Sequence, residues 1–72
     1  MVTPDDIKTW IEAGLPNSTA KVDGDGRHFD ATVTCADFDG KRELERHRMI
    51  YAALGDKMDD AIHALSLKTR VE

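Results

Sequence analysis

Asp23-Gly24-Asp25-Gly26-Arg27-His28-Phe29-Asp30-Ala31-Thr32-Val33-Thr34-Cys35 is the stretch that decides how this chain folds. Its first four residues are a dense turn signal, because glycine accepts positive φ without steric cost and aspartate tolerates tight turns. From His28 to Cys35 the residues alternate strictly. Phe29, Ala31, Val33 and Cys35 fall on one side, and His28, Asp30, Thr32 and Thr34 on the other. Side chains of a strand change face at every residue, so this pattern predicts a half-buried strand. Upstream, Ser18 to Asp23 places Ala20 and Val22 between polar neighbours and reads as a shorter first strand. The two strands and the turn make a hairpin.

Toward the N-terminus, Thr3 suits an N-cap, Pro4 the first helical position, and Asp6 the acidic position of a capping box. Ile7, Trp10 and Ile11 recur at helical spacing, and Gly14 and Pro16 stop the helix, which is predicted from Pro4 to Ala13. Beyond the hairpin, Phe38-Asp39-Gly40 breaks the strand. His47, Ile50, Tyr51, Leu54 and Met58 then come at offsets of three and four, with Leu44 one turn earlier. They predict a helix from Arg42 to Leu54 with that stripe inward, ended by Gly55. Asp56 caps a short third helix, with Asp59 at the capping-box position and Met58, Ala61 and Ile62 facing inward. From His63 the period switches to two, with Leu65 and Leu67 on one face, giving a third strand that ends near Thr69. The predicted fold is α+β, in the order helix-strand-strand-helix-helix-strand: a three-stranded mixed sheet with helices on one face.

With 72 residues, the chain is expected to form a single domain over positions 1–72. Below about 70–80 residues one core supplies only a few kcal/mol of net stability, which leaves little margin for strained catalytic geometry. Fourteen acidic against ten basic side chains give a net charge of −4, so any nucleic-acid role needs a local basic patch. The single cysteine, Cys35, forms no intramolecular disulfide, which fits a reducing compartment. No leader pattern opens the chain and no apolar run approaches the ~18 residues of a membrane span. The expected location is cytoplasmic. No serine or cysteine sits in a motif for an activated nucleophile, and Gly24-Asp25-Gly26 leads into a strand rather than a helix N-terminus, which excludes a phosphate-binding fingerprint. An enzyme is not expected.

Four groups of residues are candidates for chemistry. His63 lies where helix gives way to strand, with the parity of Leu65 and Leu67; it is read either as a packed histidine or as a ligand. His28 stands on the polar face beside the turn, free of role or poised to ligate. His47 and Cys35 both read as packing residues, and Cys35 and His28, on opposite faces of one strand, make a zinc site unexpected. Lys41, Arg42, Arg46 and Arg48 form the one basic cluster, read as a solvated helix face, a docking surface for a partner, or a phosphate contact in a helix-turn-helix arrangement.

Gly24-Asp25-Gly26-Arg27-His28-Phe29, Phe38-Asp39-Gly40-Lys41, Arg46-His47-Arg48-Met49-Ile50-Tyr51-Ala52-Ala53-Leu54 and Ile62-His63-Ala64-Leu65-Ser66-Leu67-Lys68-Thr69 occur in an order and spacing that resembles the BolA family over essentially the whole chain. The resemblance implies a fold similar to class II KH domains, although Gly55-Asp56-Lys57-Met58 lacks the Gly-x-x-Gly loop with which KH domains clamp nucleotide backbones. It implies partnership with a monothiol glutaredoxin and a [2Fe-2S] cluster shared with that partner and glutathione, in iron–sulfur trafficking or iron regulation. On this resemblance His63 matches the family's C-terminal cluster ligand. A second ligand comes from the loop between the first two strands, as Cys or His according to subgroup. That loop here holds neither; Asp25 takes the cysteine's place and His28 is the nearest nitrogen donor. Carboxylate is a hard donor poorly matched to such clusters, which ranks Asp25 below His28. Imidazole ligation raises a cluster's potential and is easily lost to protons, as transfer requires. No cluster is expected on the chain alone, which is expected to be a monomer or weak homodimer. The alternative function is a DNA-binding transcriptional regulator using the basic region of the second and third helices.

Overall fold

The computed structural model describes residues 1–60, 62 and 64–72, with Asp60 described by its backbone alone. The elements are α1 (Pro4–Gly14), β1 (Ser18–Gly24), β2 (His28–Cys35), a 3-10 turn (Ala36–Phe38), α2 (Glu43–Leu54), α3 (Lys57–Asp60) and β3 (Ala64–Arg70). β2 is the central strand, antiparallel to β1 and parallel to β3. Parallel neighbours need a long crossover, and α2 with α3 provides it. The architecture is the α+β arrangement expected from the sequence.

The alternation in β2 sorts the side chains as expected. Phe29, Ala31, Val33 and Cys35 are buried, together with Ala20 of β1, against Ile7 and Ile11 of α1 and Ile50 and Leu54 of α2. Each large apolar side chain buried in this way contributes about 1.5–3 kcal/mol. The other sheet face carries Thr19, Lys21, Asp23, His28, Asp30, Ser66, Lys68 and Arg70, all exposed. Among the described residues no helix is long and apolar enough to cross a membrane.

The start of α1 is as predicted: Thr3 Oγ1 accepts from the Asp6 N–H at 3.1 Å and Asp6 Oδ2 accepts from the Thr3 N–H at 3.0 Å, a complete capping box. Its end is not. Gly14 is helical, and Leu15 closes the helix by donating to the Ile11 carbonyl at 2.8 Å. Gly14 is there because α2 is close: a Cβ on it would lie 2.6 Å from Ala53 Cβ.

Three other expectations change. Phe38, read as a strand break, is fully buried in the 3-10 turn. The inward stripe of α2 is rotated: Ile50 and Leu54 are buried with Met49 and Ala53 packed beside them, while Leu44 is 62% and Tyr51 40% exposed. A helix turns about 100° per residue, so Leu44 and Tyr51 sit roughly 100–120° from Ile50, off the buried face. The helix begins at Glu43, with Arg42 as N-cap; the Arg42 side chain has no acceptor, and Arg42 N–H instead donates to Glu45 Oε1 at 3.4 Å. The inward placement expected for Ala61 lies outside the described residues. Ile62 is buried as expected, and Met58 is half-buried against the core.

β1 is an edge strand, and α1 covers part of that edge. Ala20 N–H donates to Glu12 Oε2 at 2.9 Å, and Lys8 Nζ donates to the Ala20 carbonyl at 3.1 Å while pairing with Glu12. The hydrogen bond from Ala20, and after it that from Lys8, holds the Glu12 carboxyl below the usual carboxylate range. A depressed carboxyl adds stability that is fully present above the unfolded glutamate pKa of about 4.3. That stability is lost as pH falls through the lower folded value. Glu12→Gln keeps the acceptor and removes the charge. It is expected to lower stability at neutral pH by on the order of 1 kcal/mol, because this partly exposed pair is screened by solvent. Urea titrations at a series of pH values should show the gap between wild type and variant closing in the acid range.

Candidate functional site

Asp25 and His28 stand at the hairpin turn, which meets the start of β3. Asp25 shapes the turn: its Oδ1 accepts from the N–H groups of Arg27 and His28, both at 2.9 Å, and Gly26 comes next at φ 100°. The first cause of its lowered pKa is the His28 N–H, then that of Arg27. The Asp25 carboxylate is thus committed to the backbone through one oxygen. Its Oδ2 lies 4.0 Å from His28 Nδ1, and the two side chains are 71% and 78% exposed.

The parallel register sets Ala64 opposite His28, and the Ala64 N–H donates to the Arg27 carbonyl at 3.2 Å. The chain therefore enters β3 beside the hairpin turn. His63, the candidate ligand that precedes Ala64, lies outside the described residues. What this end of the sheet offers chemically is an exposed imidazole on a rigid strand, next to a carboxylate whose second oxygen is open. Among the described residues no three His, Cys, Asp or Glu side chains converge as a metal site.

The remaining candidates separate. Cys35 is 1% exposed and points into the core, away from His28, as the strand parity requires. His47 does make one hydrogen bond as expected, but to Glu43 Oε1 on its own helix at 3.0 Å, at the margin of the core rather than within it. The basic cluster does not act as a unit. Lys41, Arg42 and Arg48 are exposed, whereas Arg46 is half-buried and engaged. Its Nε donates to the Lys41 carbonyl at 2.9 Å, Nη1 to Thr69 Oγ1 at 3.4 Å, and its guanidinium lies 5.7 Å from the Phe38 ring centroid. Arg46 ties α2 to β3 and the 3-10 turn, which leaves Lys41, Arg42 and Arg48 as the exposed members of the cluster. The helix-turn-helix reading also weakens, since α3 spans four residues and carries Asp59 and Asp60.

Sequence reasoning misses an exposed apolar pair. Leu44 and Tyr51 lie two turns apart on α2, both exposed, with Arg48 on the same flank. A helical wheel carries the signal, since the two residues align with each other and not with Leu54.

Residues 9–72 match the family model described as BolA-like protein. Protein BOLA2 of Arabidopsis thaliana is 42% identical over 72 residues, covering 94% of this chain and 76% of that protein. The DNA-binding transcriptional regulator BolA of Escherichia coli is 41% identical over 46 residues, 64% of this chain but only 44% of that protein, so the match spans less than half of the bacterial regulator. The solved structure of a BolA homologue from Coxiella burnetii superposes with a TM-score of 0.92 at 55% identity, covering 97% of this chain and 91% of its own. A shared hairpin, crossover and third strand, a matching family model over nearly the whole chain and this degree of identity together place the chain in the BolA family.

Proposed function

We propose that this protein is a non-enzymatic adaptor that binds a monothiol glutaredoxin and shares with it a histidine-ligated [2Fe-2S] cluster, in iron–sulfur trafficking or iron regulation. The observation that supports this reading is the meeting of the hairpin turn with the start of β3. There the exposed His28 stands opposite Ala64, the residue next after His63. His63 is the principal ligand in this proposal and His28 the second. Asp25 ranks below them because one of its oxygens already holds two backbone N–H groups. The cluster would supply electron and iron–sulfur transfer chemistry; the protein's part is to present imidazole nitrogen at a surface that a partner can close. Exposed Lys41, Arg42 and Arg48 are suited to meet acidic groups of the partner or the carboxylates of glutathione.

Mixing the protein anaerobically with a monothiol glutaredoxin, glutathione, iron and sulfide should give a heterodimer whose visible absorption and circular dichroism differ from those of the glutaredoxin homodimer. His63→Ala should abolish that difference and His28→Ala should weaken it. A spectrum unchanged by His63→Ala would refute the ligand assignment.

A second reading, binding to DNA, is favoured by the name of the Escherichia coli relative. With Arg46 half-buried and bonded to Lys41 and Thr69, Arg42 and Arg48 are the residues to test. Absence of saturable binding to duplex DNA at physiological salt, or binding indifferent to Arg42→Ala with Arg48→Ala, would remove this reading.

A further inference from the structure

The two edges of the sheet are treated differently. On β1 the outward N–H and C=O of Ala20 are both taken by α1, through Glu12 and Lys8. On β3 no such cover exists among the described residues. Because the Ala64 N–H donates inward to Arg27, alternation turns the N–H and C=O of Ser66, Lys68 and Arg70 inward as well. Those of Leu65, Leu67 and Thr69 therefore face outward, and the side chains of Leu65 and Leu67 are only half-buried beside the core. An unpaired, partly apolar edge is a template for another strand.

We propose that this edge pairs with β3 of a second copy of the chain, antiparallel and centred on Leu67, joining two three-stranded sheets into one. The strand is self-complementary in that register. Leu67 meets Leu67 and Leu65 meets Thr69, so every outward N–H and C=O finds a partner in a hydrogen-bonded pair. On the solvent face Lys68 meets Ser66 and Arg70 meets Ala64, so no like charges stand opposite each other. The half-buried leucines of each copy cover those of the other on the helix side. Only one strand and its flanks are buried, so the dimer is weak and concentration-dependent.

Sedimentation equilibrium from micromolar to millimolar protein should show a monomer–dimer equilibrium. Amide exchange should slow with concentration at Leu65, Leu67 and Thr69 and not at Ser66 or Lys68. Ser66→Lys lies on the exposed face, leaves the core untouched, and sets two lysine pairs against each other across the twofold axis. It should weaken the dimer by about tenfold. Adding Lys68→Glu converts those pairs to opposite charges and should restore association to the wild-type level or beyond. A protein that stays monomeric at millimolar concentration, protection elsewhere in the chain, or a dissociation constant indifferent to Ser66→Lys would overturn the proposal.

Discussion

Replacing Phe38 by alanine is expected to leave little folded protein at room temperature. The ring is 0% exposed, held by the short turn that links β2 to α2. Truncating a buried phenylalanine costs about 3–5 kcal/mol through lost transfer energy and the cavity left behind. A domain of this size has a net stability of comparable magnitude. The loss also reaches beyond the core, because the ring is the platform over which the Arg46 guanidinium lies while it bonds to Lys41 and Thr69. Removing the ring thus loosens the contact between α2 and the far end of β3. Urea unfolding monitored by Trp10 fluorescence and far-ultraviolet circular dichroism measures the effect. Leu44→Ala, at a site 62% exposed, is the control and should change stability by no more than about 0.5 kcal/mol. A wild-type unfolding midpoint for Phe38→Ala would show that the turn does not anchor the fold.

Phe38 also shows what kind of information the sequence carries. The strand faces are legible because a period of two leaves no freedom: once Phe29 is inside, Ala31, Val33 and Cys35 must be too. The start of α1 is legible because a capping box is a local device, complete within residues 3–6. In α2 the pattern is ambiguous. Apolar residues flank the true buried line on both sides, Met49 and Ala53 on one and Leu44 and Tyr51 on the other, and only packing against α1 chooses between them. The burial of Phe38 is hidden because Phe38-Asp39-Gly40 has the composition of a turn, and composition does not say that the turn folds back over the core. At the candidate site, the exposed placement of His28 comes from parity, and the commitment of Asp25 to the turn is the chemistry that makes aspartate a turn signal. The engagement of Arg46 and the capping of Ala20 by Lys8 and Glu12 link residues far apart in sequence, and no local pattern announces them. The ligand role proposed for His63 rests on resemblance, since its place in the sequence leaves packing and ligation both open.

Gly14→Ala is expected to destabilise the protein even though alanine is the better helix former. In an exposed helix the exchange would gain about 1 kcal/mol. Here the added methyl would stand 2.6 Å from Ala53 Cβ, 2.8 Å from Ala53 Cα and 2.9 Å from the Ala53 carbonyl oxygen. Two of those three atoms are backbone, so no side-chain rotation relieves the contact, and α1 must lift away from α2. Ile7 and Ile11 hang from the same helix and are completely buried, so the displacement carries into the core. Overpacking of this kind costs about 1–3 kcal/mol and outweighs the gain in propensity. The net loss should appear as a lower urea midpoint with an unchanged slope, meaning that the same surface is exposed on unfolding. Ala53→Gly tests the cause. It removes one of the three contacts and should be less harmful in the Gly14→Ala background than alone, the coupling expected of residues that touch. A raised midpoint for Gly14→Ala would mean that propensity wins and that the helices have room to separate. The expected fall would mean that glycine was selected here for the space it leaves to α2, and that its apparent role as a helix terminator is incidental.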